Sequence, residues 1–166
     1  MPVFLMRHAD AVPEDSWLTD ESRYLSEAGR CAAIAAGREL ARLGVEPTGF
    51  VSSPLVRAVQ TAELVALGLG VASSSGEGLG LRAIRVHESL APGRPLRRLV
   101  ADLAELEGAL LIGHEPSISG LAGALTEQPR FTAFEKAQIV AVEGGRAAWT
   151  LLPGDREPRR YAPLNP

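Results

Sequence analysis

Three short apolar runs, each breaking off at residues that can do chemistry, constrain this chain more than any other feature. Val3-Phe4-Leu5-Met6 stops at Arg7-His8, Phe50-Val51-Ser52-Ser53 stops at Pro54, and Ala109-Leu110-Leu111-Ile112 stops at Gly113-His114. Apolar runs of this length, bounded by charge or turn residues, suit buried strands. The stretches between them read as helices. Ser26 is placed to cap a helix over 27–43, with Ala28, Ala32, Ala35, Ala36, Leu40 and Leu43 at helical spacing and Gly44 closing it. A second helix is expected over about 55–67, stopped at Gly68-Leu69-Gly70. A short strand is expected over 83–87, a third helix from Pro95 to 106, and a fourth over 117–125 behind Pro116.

The polar stretch 8–25 and the Ser- and Gly-rich stretch 73–80 read as loops. Residues 139–142, the turn Glu143-Gly144-Gly145-Arg146 and residues 147–152 carry the signal of a β-hairpin. From Pro153 onward the chain holds four prolines and no periodic pattern. Strands alternating with helices predict an α/β fold: three layers, α/β/α, around a mostly parallel mixed central sheet with the hairpin at its C-terminal end. A chain of 166 residues fits one domain spanning 1–166.

Seventeen basic against twenty acidic residues leave a net charge of −3, so no general attraction to nucleic acid or an anionic membrane is written into the chain. Anion binding must come from local clusters. No apolar run is long enough to span a bilayer and no targeting segment is visible, so the reading is a cytoplasmic monomer. The lone Cys31 cannot close an internal disulfide and suits a reducing compartment; among alanines, it reads as a small core residue.

Open α/β sheets bind ligands beyond the carboxyl ends of their strands. Arg7, His8, Arg57 and His114 all lie just past such ends, so two arginines and two histidines are expected to meet in one crevice. Guanidinium forks match phosphate oxygens. Their positive field disfavours imidazolium and keeps a histidine neutral and nucleophilic. Such an imidazole can attack phosphorus in line, giving a phosphohistidine that water cleaves. Nothing in that chemistry calls for a metal or cofactor.

Arg7-His8, then Ser53-Pro54-Leu55-x-Arg57-Ala58-x-Gln60-Thr61-Ala62, then Ile112-Gly113-His114, in this order, resemble the histidine phosphatase (phosphoglycerate mutase-like) superfamily. The short chain, Val3 to Asp10, Arg23-x-Leu25-Ser26-x-x-Gly29 and Gly113-His114-Glu115-Pro116 look most like its SixA-type phosphohistidine phosphatases. The resemblance implies a hydrolase with His8 as the phosphorylated nucleophile and Arg7, Arg57 and His114 as the phosphate-binding groups. Ala9 stands where the family opening has Gly. Larger members place an acidic proton donor near Glu88, whereas SixA-type members carry a Leu-x-Pro element there, which Leu90-Ala91-Pro92 matches. Glu88 is thus a candidate acid whose part is left open at this stage.

The implied activity is a metal-independent phosphatase that removes phosphate from phosphohistidine on a protein. Two alternatives stand beside it: hydrolysis of small phosphate monoesters by the same mechanism, and a non-catalytic module that binds phosphohistidine or phosphate. A metal site from His8, Asp10 and His114 would set a dication beside two arginines, which repel it. Asp10 is read as orienting Arg7 or His8 or as solvating a loop. His87 reads as a half-buried or solvated strand histidine. Arg94, Arg97 and Arg98 form a basic cluster, either a solvated helix face or an attraction for an acidic substrate protein.

Overall fold

The computed structural model describes residues 1–72, 84–101 and 106–162. The expected loop over 73–80, the first residue of the expected 83–87 strand and residues 102–105 of the expected third helix lie outside them. Seven strands form one sheet: β1 (Val3–Arg7), β2 (Phe50–Ser52), β3 (Ile84–Val86), β4 (Leu110–Gly113), β5 (Ile139–Glu143), β6 (Arg146–Leu151) and β7 (Arg159–Arg160). Their order is β3-β2-β4-β1-β5-β6-β7. The first four in that order run parallel, and β5, β6 and β7 are each antiparallel to the strand before them. The fold is therefore the expected α/β sandwich with a mixed sheet.

Alternation along β1 sets the layers. Phe4 and Met6 enter a core shared with α1 (Glu27–Arg42) and α2 (Val56–Ala72), while Leu5 enters a second core. That second core takes Leu99 from α3 (Arg97–Ala101), and Ile118, Leu121 and Ala122 from α4 (Ser117–Thr126). Successive side chains on a strand point to opposite faces, so one five-residue strand serves both cores. The hairpin turn is made by Gly144 and Gly145 at φ 55° and 72°, the conformation that a two-residue turn between twisted strands requires.

Four expectations are corrected. Helix α2 does not stop at Gly68-Leu69-Gly70 but continues to Ala72. A Cβ on Gly68 would lie 2.2 Å from the Ile34 carbonyl oxygen, and one on Gly37 2.1 Å from that of Val65. These glycines let α1 and α2 touch backbone to backbone; neither ends a helix. For the same reason the buried stripe of α1 is Gly29, Ala33, Gly37 and Leu40, one position away from the alanine stripe read in the sequence. Cys31 consequently faces solvent and is not a core residue. Finally, the proline-rich end supplies an edge strand, β7, paired to Trp149 and Thr150.

Candidate active site

Register builds the site. Arg7 lies opposite Gly113 and Ser52 opposite Ile112, so the next residues, His8, Ser53 and His114, leave the sheet side by side. The His8 and Ser53 amides donate to the Gly113 and Ile112 carbonyls at 3.0 and 2.9 Å, holding these strand exits in step. Arg57, in the first turn of α2, completes the group. Thus Arg7, His8, Arg57 and His114 meet in one place, and Arg57, His8 and His114 are buried.

His8 Nδ1 is 2.7 Å from the Ala9 carbonyl. A carbonyl only accepts, so Nδ1 carries the proton and Nε2 exposes its lone pair. Arg57 Nε donates to that Nε2 at 3.3 Å. Burial, then the charges of Arg57, Arg7 and Arg23, lower the His8 pKa from 6.5 to about 4, against the raising effect of the Ala9 carbonyl. Burial, then His8 and Arg57, lower that of His114 to about 3. The two rings sit 4.8 Å apart between centroids. Both histidines are neutral at pH 7.

The remaining contacts fix each group. Arg57 Nη1 donates to the Asp20 carbonyl, and Nη2 meets the Asp20 carboxylate at 3.0 Å. Arg7 Nη1 donates to the Phe134 carbonyl at 2.8 Å. The Phe134 amide in turn donates to Glu115 Oε1 at 2.9 Å, and Ser119 donates to Oε2 of the same carboxylate. His114 Nε2 lies 2.8 Å from Ser53 Oγ. Thr61 Oγ1 accepts the Ala9 amide at 3.1 Å and donates to the Arg57 carbonyl at 2.7 Å, tying the two chain segments together. Among the described residues, the buried side-chain nitrogens with no partner are Arg7 Nε and His114 Nδ1. An unpaired buried donor is costly unless an acceptor serves it, and both belong to this one site.

The sequence motifs now have local causes. Ser26 Oγ accepts the Gly29 amide and caps α1, and a Cβ on Gly29 would stand 2.0 Å from the Asp10 carbonyl oxygen. Gln60 accepts the Leu25 amide at 2.8 Å. Ala9 is fully buried and is not at positive φ, so the glycine of the family opening is not demanded by the backbone here. Asp10 does not orient Arg7 or His8: its carboxylate is bonded by Ser26 and Lys136. The three-residue metal reading thereby loses its carboxylate, and among the described residues no cluster of three His, Cys, Asp or Glu converges. His87 accepts the Ser89 amide and caps the short 3-10 turn Glu88–Leu90.

Glu88 begins that turn just beyond β3. It lines a groove of about 420 Å³ together with Asp20, Glu21, Pro54, Leu55, Ala91, Pro92 and Arg94. The groove borders the buried group through Asp20, which holds Arg57. Sequence reasoning passed over Asp20, Ser53, Thr61 and Glu115 as parts of the site. Asp20 carried no signal, because it reaches Arg57 across 37 positions. Ser53, Thr61 and Glu115 stood inside the quoted motifs.

The histidine phosphatase superfamily (branch 1) model matches residues 3–89, more than half the chain. The chain belongs to that superfamily. Membership supports a phosphatase activity, and the matched segment includes Arg7, His8 and Arg57. The protein histidine phosphatase SixA, solved with tungstate, superposes with a TM-score of 0.75 at 27% identity, covering 92% of this chain and 97% of that one. A mycobacterial glucosyl-3-phosphoglycerate phosphatase, solved with VO3, shares the superfamily fold at a TM-score of 0.59 and 20% identity, over 84% of this chain and 90% of that one. An uncharacterized protein of Picosynechococcus is 29% identical over 154 residues, 89% of this chain and 87% of its own. Among the described residues no helix is long and apolar enough to cross a membrane.

Proposed function

We propose that this chain is a metal-independent phosphohistidine phosphatase, a cytoplasmic monomer that works through a phosphoenzyme at His8 and takes its phosphoryl group from phosphohistidine on a protein. The observation that carries this reading is the neutral His8 with its Nε2 lone pair held among Arg57, Arg7 and His114, beside two buried nitrogens that lack an acceptor. Nε2 attacks phosphorus, the P–N bond to the substrate imidazole breaks, and that imidazole leaves with its own electron pair. Arg57 releases Nε2 as the bond forms and turns to the equatorial oxygens, which Arg7 Nε also serves. His114 Nδ1 serves them when it carries the ring proton, with Nε2 then accepting from the Ser53 hydroxyl. Water then attacks the phosphohistidine of the enzyme, returning neutral His8 and inorganic phosphate.

The substrate choice rests on the leaving group. A protonated phosphohistidine loses a neutral imidazole and needs little help, whereas an ester loses an alkoxide and gains much from a general acid. The Leu90-Ala91-Pro92 element supports the phosphohistidine reading, in which the candidate acid Glu88 is not needed. Its position on the adjoining groove supports the second reading, a phosphatase of small monoesters with Glu88 as donor.

Hydrolysis of a phosphohistidine protein and of an aryl phosphate, each with EDTA and each by wild type and His8→Ala, tests this. Loss of activity in His8→Ala, indifference to EDTA and a faster rate on phosphohistidine are expected. A faster aryl phosphate rate that collapses in Glu88→Gln favours the ester reading. Full activity in His8→Ala would overturn the mechanism. A wild type that binds phosphohistidine without turning it over would leave a binding module.

A further inference from the structure

Next to the groove that borders the buried group through Asp20 lies a second space of about 370 Å³, lined by Glu88, Ser89, Arg94, Pro95, Arg97 and Arg98. The two spaces share Glu88 and Arg94, so they adjoin. The basic cluster singled out in the sequence therefore opens beside the site. Three arginines face one carboxylate there, on a chain whose net charge is −3. All three are exposed, and none makes an ion pair among the described residues. Their backbone is nonetheless well placed: Leu99 is fully buried, and Leu96 packs toward Gly120.

A site for one small anion needs donors fixed in direction, as Arg7 and Arg57 are by Phe134 and Asp20. Arg94, Arg97 and Arg98 have no such supports. Exposed guanidinium groups without fixed partners instead make a diffuse positive field, which suits the acidic surface of a macromolecule. We infer that Arg94, Arg97 and Arg98 form a docking surface for an acidic segment flanking the phosphoryl residue of a protein substrate. This inference rests on the phosphoprotein reading above and names how that substrate is selected.

The test uses phosphohistidine peptides of equal length with glutamate, neutral or lysine flanks, and free phosphohistidine as the reference. Wild type is expected to show a kcat/KM at least about tenfold higher for the acidic than for the lysine-flanked peptide, falling between about 50 and 500 mM salt. Arg97→Glu with Arg98→Glu should erase or reverse that preference through KM, while free phosphohistidine is hydrolysed within about twofold of wild type. Equal rates on all peptides, with free phosphohistidine hydrolysed, would overturn the docking surface and leave the proposed activity standing. A second measurement is independent of turnover: titration of His8→Ala protein into a fluorescent, unphosphorylated glutamate-rich peptide. Salt-sensitive binding abolished by the double reversal supports the surface even if phosphohistidine is not the substrate. Absent binding, or binding indifferent to the reversal, overturns it.

Discussion

Arg57 donates Nε–H to His8 Nε2 at 3.3 Å while Asp20 engages both its terminal nitrogens. A cation is thus set against the lone pair of a histidine, which disfavours a second positive charge there. The neutral state of His8 follows from burial first and then from that geometry, and with it a set of measurable consequences.

Stability should fall in acid. His8 and His114 have folded pKa values near 4 and 3, below the ordinary 6.5, so between those limits the unfolded chain binds more protons than the folded one. Unfolding is therefore favoured as pH drops below about 6.5, each group adding a slope of about 1.4 kcal/mol per pH unit until it titrates in the fold. Urea midpoints measured from pH 7 to 4 check this. His114→Asn should flatten part of the slope, and an unchanged slope would count against a buried neutral His114.

The acid limb of kcat/KM should lie well below an ordinary histidine. Because kcat/KM reports the free enzyme, its nucleophile limb is expected near pH 4 once substrate ionisation is subtracted. A limb at pH 6.5 would mean that His8 is not held as described.

Thr61→Val removes the acceptor of the Ala9 amide without changing side-chain shape. The amide is buried, so a loss of about 1–3 kcal/mol is expected, read as a lower melting temperature together with a reduced kcat. Thr61→Ser keeps the hydroxyl and should recover most of both.

Glu115→Gln leaves one acceptor where two are used. Either the Phe134 amide or the Ser119 hydroxyl then faces an NH2 group. Since Phe134 carries the carbonyl that holds Arg7, KM is expected to rise several-fold, with a stability loss of about 1–3 kcal/mol. A KM unchanged at lower stability would show that Glu115 supports the fold without steering Arg7.

Gly37→Ala and Gly68→Ala should destabilise, although alanine favours helix by about 1 kcal/mol. The new methyls would meet carbonyl oxygens of the facing helix at 2.1 and 2.2 Å, and neither helix can yield without shifting the other. Chemical denaturation is expected to show a net loss of about 1–3 kcal/mol. A gain would mean that the helices do not touch as closely as found.

The architecture and the chemical group at its centre are legible in the amino-acid order alone. Short apolar strand runs and helix runs of period near 3.6 are local properties, and parallel strands deliver their C-terminal residues to one edge, so Arg7, His8 and His114 had to emerge together, with Arg57 close by in the first turn of α2. How the group is held emerges from the folded chain. Asp20 on Arg57, Glu115 through Phe134 on Arg7, and Thr61 on Ala9 are contacts between segments far apart in the chain, where no local spacing records a partner. The folded chain also decides which face of α1 is buried. Gly29 and Gly37 gave no apolar signal, yet close backbone approach stabilises the helix pair through many short contacts that side-chain hydrophobicity does not count.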